Sequence, residues 1–466
     1  MTQPSLAGEA TAGAPVAPRL AKDLRQRHVA MISIGGIIGA GLFVGSSAGI
    51  ATIGPAVVVS YLLAGAVVLL VMRMLGEMAA AYPEIGAFSE YARLGLGDWA
   101  GFTAGWLYWY FWVVVVAIEA IAGAKVMSTW INEPVWAIAL VLVLAMMATN
   151  LWSARSYGEF EFWFASIKVA AIIAFILVCG YALLAHHLAE ASANLTGHGG
   201  FAPFGALSVL GGVTSVVFSL TGAEIATIAA AESTEPGRAI ARMTSQVVVR
   251  ILLFYVISIF LIVALTPWTT IHSGDSPFAV TLSRIGIPAA ALMMNFIVLT
   301  AVLSCLNSGL YVTSRVLFTL AAHGDAPQAL VALSARRVPV RAIVIATAFA
   351  LAAGAPSVLG AEAVFTFLVN ASGALMLLVY GIVALAEIPV RRRLEVEAPE
   401  RLTIRMWLYP AGSWFAIACI GAILIAMGLT PSLRPQLLCS LVVLAVALAA
   451  FFAVRRKRPQ AAFGGV

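Results

Sequence analysis

The chain reads as an all-α polytopic membrane protein with twelve transmembrane helices, and three observations predict this. Hydrophobic residues fill 62% of its 466 positions and charged residues only 10%. The mean hydropathy of +1.00 is far too high for a soluble chain of this length. Twelve apolar runs approach the roughly 20 residues that cross a hydrocarbon core, and Lys and Arg gather between alternate runs.

The runs fall at 28–49, 55–80, 100–129, 134–152, 159–184, 205–231, 243–265, 287–321, 341–357, 362–389, 407–428 and 434–454. Before them, residues 1–20 are rich in Ala, Pro and Gly and lack the compact apolar core of a cleavable signal. That stretch reads as a disordered cytoplasmic tail. The first run holds Gly35, Gly36, Gly39 and Gly41 within GGIIGAGLF. Unwound backbone is tolerated in lipid only where it lines a cavity or binds something, so the run reads as a broken helix. Close helix packing through the Gly35/Gly39 and Gly41/Gly45 pairs is the alternative.

The third run, WLYWYFWVVVVAIEAIAGAKV, buries Glu119, and the fifth carries Lys168 about ten residues in. At 1.5 Å per residue, roughly 15 Å of helix separates that lysine from the inner surface, beyond snorkelling reach. Lys168 must pair, meet a cavity or lose its proton. It is read as a proton carrier, with a structural helix–helix contact as the alternative. Glu119 must face the protein interior, either ionisable and functional or protonated in a single interhelical bond. The sixth run contains Phe218, Ser219, Leu220, Thr221, Gly222, Ala223 and Glu224, a second interruption at mid-membrane. Two interrupted helices, each opening a group of five, are what an inverted-repeat transporter predicts. Half-helix ends meeting near the midplane offer amides to an anion and carbonyls to a cation, which suits a zwitterion. Asn307 in the eighth run is a further polar group at depth, with interhelical bonding as its simplest role, and Asn370 lies in the tenth.

Twenty of the 27 Lys and Arg lie on one side of the membrane if the N-terminus is cytoplasmic, and only Arg284 and Arg434 lie on the other. Both termini are therefore expected in the cytoplasm. This asymmetry accounts for the net charge of +6 without nucleic-acid binding. Arg73, Lys125 and Arg250 sit near span ends, where they can snorkel. The six histidines all fall at span ends or in loops, and there is no HExxH, which argues against a membrane enzyme or a metal site. The four cysteines sit in apolar runs without paired spacing, so no disulfide is expected.

The blocks RHVAMISIGGIIGAGLFVGSS, LGEMAAAYPEIGAFSEYA, GWLYWYFWV, YGEFEFWFASIKV, TGAEIATIAAAES and SCLNSGLYVTSRVLF resemble the amino acid transporter branch of the amino acid/polyamine/organocation superfamily. Within it they look most like bacterial 4-aminobutyrate (GABA) permeases. The resemblance runs from about residue 24 to 455 and includes RMWLYP at 405–410.

It implies a LeuT-like 5+5 inverted repeat with discontinuous helices 1 and 6, followed by helices 11 and 12. The division would be a first repeat at 21–184, a second at 205–389, the last two helices within 390–458 and a tail at 459–466. The resemblance assigns the substrate carboxylate to amides around Gly39, Ala40 and Gly41, and the ammonium to carbonyls near Ile37 and along Phe218, Ser219, Leu220, Thr221 and Gly222. Phe218 would close over substrate, Glu224 would be an acidic gate, and Lys168 would stand where sodium-coupled relatives hold a cation. Lys168, Glu224 and Glu119 are the expected proton-coupling residues, with the proton as coupling ion and no cofactor or metal. Leu220 and Thr221 depart from the family pattern beside the pocket, so substrate identity rests there, with Tyr108 as another length-setting side chain.

The expected function is proton-coupled import of GABA or a similar short amino acid across the bacterial inner membrane. An exchanger or a permease for another amino acid is the alternative. A nutrient sensor is less favoured, because no inner loop or tail exceeds about 30 residues, too short for a signalling domain.

Overall fold

The structure, a computed structural model, describes residues 38–82, 88–152, 154–186, 188–222, 224, 251–334 and 338–456. Ile37, Ala223, the start of the first run and residues 225–250, from the end of the sixth run into the seventh, lie outside the described residues. The described chain is helical through most of its apolar runs, because lipid gives backbone N–H and C=O groups no other partner. The helices are α1 (Ser46–Ile53), α2 (Val57–Ala81), α3 (Phe88–Leu96), α4 (Asp98–Met127), α5 (Val135–Trp152), α6 (Ala154–His186), α7 (Leu188–Thr196), α8 (Gly205–Gly211) and α9 (Val213–Leu220). They continue as α10 (Ser258–Leu265), α11 (Pro277–Arg284), α12 (Pro288–Ala322), α13 (Val340–Gly354), α14 (Ala361–Glu397), α15 (Ala411–Leu429) and α16 (Arg434–Arg456).

Among the described residues eight helical segments are long and apolar enough to cross a membrane, and three shorter apolar helices fall on the fourth, sixth and seventh runs. The first two runs form one such segment, joined by a 3₁₀ turn at Gly54–Ala56, so the first extends to Ile53 rather than 49. Gly54 turns the chain with φ of +77°, a conformation that favours glycine. The tenth run also outlasts its apolar stretch, because α14 continues through the charged Arg391–Glu397 segment and pairs Arg391 with Glu395 one turn on.

Burial separates centre from edge. In α4 and α14, 83% of the most apolar window is buried, against 17% in α16. The central pair is flanked by α12, which runs along α4, and by α9, which lies between α2 and α14. Gly373 of α14 sits against the Thr214 carbonyl of α9 so closely that no Cβ fits there. Asn307 of α12 accepts from Asn150 Nδ2 at 2.7 Å and Thr149 Oγ1 at 3.1 Å, a polar tie between α12 and α5. Asn370 is buried in α14.

Candidate functional site

Each predicted interruption falls in part in described backbone. At the first, the described chain begins non-helical at Ile38 and Gly39, turns helical at Ala40 and passes through a π-helical turn, Gly41–Gly45, into α1. The wider turn is a form common at functional positions in helices. The second break follows Leu220, where Thr221 is extended (φ −66°, ψ 149°) and Gly222 has φ of +108°. A side chain at 222 would be strained, so this glycine is required by the backbone. The two breaks touch. Ser219 Oγ donates to the Gly41 carbonyl at 2.6 Å, and a Cβ added to Gly41 would lie 2.8 Å from Ser219 Cα. One added to Gly45 would lie 3.4 Å from the Phe218 ring. Gly41 and Gly45 thus act as the close-packing pair that their spacing suggested, within the interrupted helix.

Each break has a backbone amide held by a buried carboxylate. At the first, Ala40 N–H donates to both oxygens of Glu119, at 3.1 and 3.0 Å. Gly39 faces the same group, since a Cβ there would lie 2.8 Å from Glu119 Oε1 and 2.6 Å from Cys305 Sγ. Lys168 is fully buried and donates from Nζ to Ser304 Oγ at 2.9 Å. Ser304 neighbours Cys305 on α12, and both Cys305 and Lys168 act on the Glu119 carboxylate. At the second break, Glu224 Oε2 accepts from Gly222 N–H at 3.0 Å and from Tyr380 O–H at 3.2 Å, while Oε1 accepts from Tyr108 O–H at 3.1 Å. Tyr108 and Glu119 are three turns apart on α4, so the clusters sit roughly 16 Å apart along its length.

The remaining candidates are close by. Phe218, Leu220 and Thr221 are buried at the end of α9, and Thr221 Oγ1 turns back to the Val217 carbonyl at 2.9 Å. The structure brings Gly39, Ala40, Glu119 and Lys168 into one cluster and Gly222 and Glu224 into another, with Gly41, Phe218 and Ser219 at the contact between the breaks. Sequence reasoning missed Tyr380, Ser304 and Cys305. No local signal marks a tyrosine, serine or cysteine in an apolar helix as the partner of an acid or lysine far away in the chain.

Beyond α1 the loop between α10 and α12 folds over the structure. Phe278 of α11 is fully buried, with ring centroids 5.1 Å from Phe43 and 4.6 Å from Phe175. Gly274 N–H donates to Ser47 Oγ at 2.8 Å, Ser273 Oγ lies 2.5 Å from Thr366 Oγ1, and Lys125 pairs with Asp275 at 3.0 Å. This loop ties α1, α4 and α14 together, and Lys125 forms an ion pair there.

Over residues 28–462 the sequence matches the amino acid permease family. The chain belongs to that family. It is similar to the gamma-aminobutyric acid permease of Bacillus subtilis (strain 168), 48% identical over 444 residues that cover 94% of each chain. It is 45% identical to a probable GABA permease of Pseudomonas aeruginosa, over 93% of this chain and 91% of that one. The aromatic amino acid transport protein AroP of Corynebacterium glutamicum is 40% identical, over 85% and 87%. The permease is thus a multi-pass membrane transporter and not an enzyme.

Proposed function

We propose that the permease imports GABA or a similar short zwitterionic amino acid together with protons, across the cytoplasmic membrane of a bacterium and with both termini inside. The observation that carries this reading is the pair of touching helix breaks, each with an amide engaged by a buried carboxylate. The paired breaks also support two inverted five-helix repeats, at 21–184 and 205–389, followed by the last two helices within 390–458. GABA is favoured because relatives at 44–48% identity carry that name.

In this mechanism Glu119 occupies the Ala40 amide that a substrate carboxylate needs. Protonating Glu119 removes its charge and frees the amide for the incoming carboxylate, while carbonyls along Phe218–Thr221 and near Ile37 receive the ammonium. Lys168, held by Ser304, carries the compensating charge, and Glu224 between Tyr108 and Tyr380 serves as the acid of the second break. Phe218 closes over the substrate. A proton moving with a net-neutral zwitterion draws about 2.3 kcal/mol per 100 mV from the membrane potential.

The test is uptake by purified protein in sodium-free liposomes with an inward proton gradient, using labelled GABA, β-alanine, proline, lysine and phenylalanine. The expected result is GABA accumulation that a protonophore abolishes. Accumulation of phenylalanine instead would move the substrate towards the aromatic relatives. Exchange without accumulation would overturn proton coupling.

A further inference from the structure

The end of α16 carries positive charge beside a groove that the protein leaves open. Arg455 lies over the Phe451 ring at 5.8 Å and forms no ion pair among the described residues. The sequence goes on with Arg456, Lys457 and Arg458. Adjacent cations at the end of a membrane span repel one another and draw in anionic lipid.

Phe451 links that charge to the groove, because its ring packs on Phe102 of α4 at 5.7 Å. From α4 the groove is lined by the aromatic residues Phe102, Trp106, Trp109 and Tyr110. From α16 it is lined at five positions between Val443 and Val454, all valine or alanine. Those positions recur every three or four residues, on one face of the helix, and extend over roughly 16 Å at 1.5 Å per residue. Flat rings on one helix and short side chains on the other leave a slot of about 540 Å³ that follows the helix axes, the direction in which acyl chains lie. Residues 324–327 also line it, where Trp106 Nε1 donates to the Asp325 carbonyl at 3.1 Å. The Asp325 carboxylate is already held by Arg93 Nη2 at 2.5 Å, so the acid in the wall does not oppose an anion at Arg455. Only 17% of the most apolar window of α16 is buried by protein, which leaves this helix to be braced by something else.

We propose that the groove binds an anionic phospholipid, with one acyl chain between α4 and α16 and the phosphate at Arg455. The chain fills apolar space, and the phosphate gives the guanidinium a bidentate acceptor. A zwitterionic headgroup would bring its own cation against the basic run, so the site discriminates by headgroup charge. A second copy is the less suitable occupant, since a symmetric pair in one membrane would set two basic runs side by side. The site depends on the membrane-spanning fold and on neither substrate nor proton coupling. When filled, it holds α16 against α4, the helix that carries Tyr108 and Glu119.

The test uses the full-length protein in detergent with equal amounts of dioleoylphosphatidylglycerol or dioleoylphosphatidylcholine, reading bound lipid by native mass spectrometry and stability by thermal unfolding. Wild type is expected to retain phosphatidylglycerol in preference, and its unfolding temperature to rise saturably with that lipid, as binding to the folded state requires. Arg455→Gln should reduce the preference about fivefold, as one Lys or Arg near an anionic surface is worth, and Arg455→Lys should keep most of it. Ala450→Trp fills the slot from a half-buried position and should lose phosphatidylglycerol although the basic run is intact. Val446→Trp, at a lining position 62% exposed, gives the same reading if Ala450→Trp does not fold. Equal retention of the two lipids by wild type, or phosphatidylglycerol retention unchanged by a tryptophan in the slot, overturns the proposal. So does a dimer that retains no phosphatidylglycerol, the result a second copy in the groove would give.

Discussion

Adding a single methyl group at Gly41 should separate the two helix breaks. The new Cβ would lie 2.8 Å from Ser219 Cα, whereas carbon atoms settle at about 3.5–4.0 Å. The backbones must therefore move apart by roughly 0.7 Å or more, by difference from that contact distance. The obstacle is main chain, so no rotamer change relieves it. The same shift stretches the 2.6 Å bond from Ser219 Oγ to the Gly41 carbonyl to about 3.3 Å, past the usual range for a hydroxyl donor, at a net loss of up to about 1 kcal/mol. Overpacking of this kind costs about 1–3 kcal/mol. Acting against the closed arrangement of the breaks, that cost lowers its population about 5–150-fold. The assay is initial uptake by Gly41→Ala in liposomes, paired with thermal unfolding in detergent. Gly421→Ala on α15 is the control, since no described atom lies within 4 Å of its added Cβ, and it should match or exceed wild type. Wild-type stability and uptake in Gly41→Ala would refute the idea that contact between the breaks is part of transport.

Four further outcomes are expected. Glu119→Gln is neutral like the protonated acid that releases the Ala40 amide but cannot ionise, so substrate binding should persist while protonophore-sensitive accumulation is lost; equilibrium binding and uptake measured side by side check this. Tyr380→Phe removes one of the donors to Glu224 and should cost about 1.5–3 kcal/mol, the usual worth of a bond to a charged group, read as a lowered unfolding temperature and slower uptake. Asp275→Asn breaks a pair whose side chains are about a quarter to a third exposed, so stability should change by less than about 1 kcal/mol; in that background a Ser47→Cys probe should react faster with an impermeant thiol reagent if the loop must lift for entry. At the other end, burial alone would lower the affinity of Arg93 for its proton, but the Asp325 and Glu90 carboxylates outweigh it and hold the guanidinium above its ordinary value. Asp325→Ala removes the 2.5 Å partner and should destabilise the α3 region by about 1–3 kcal/mol, visible as faster amide exchange across 88–98.

The sequence by itself determined the helical spans and their order, because crossing lipid demands about 20 apolar residues and internal backbone bonding whatever the partners are. It also pointed to Gly39 and to Thr221–Gly222, where the described backbone is not helical, since a helix in lipid has little use for clustered glycine and small polar residues at its midpoint unless it packs closely or breaks there. It marked Lys168, Glu119 and Glu224 as buried ionisable groups that must find partners. Partner choice was decided only by tertiary structure. Glu119 meets Ala40 79 positions earlier in the chain, and Tyr380 meets Glu224 156 positions away. Nothing periodic in the sequence encodes such pairings. The Gly41/Gly45 pair was legible as packing, and the described chain sets it against Ser219 and Phe218. Glu77 and Glu387 lie near the ends of their apolar runs, where sequence alone gives a carboxylate access to water. Their burial follows from the way α2, α14 and the chain at Met406 meet around Glu77 and Arg391, which no local pattern records.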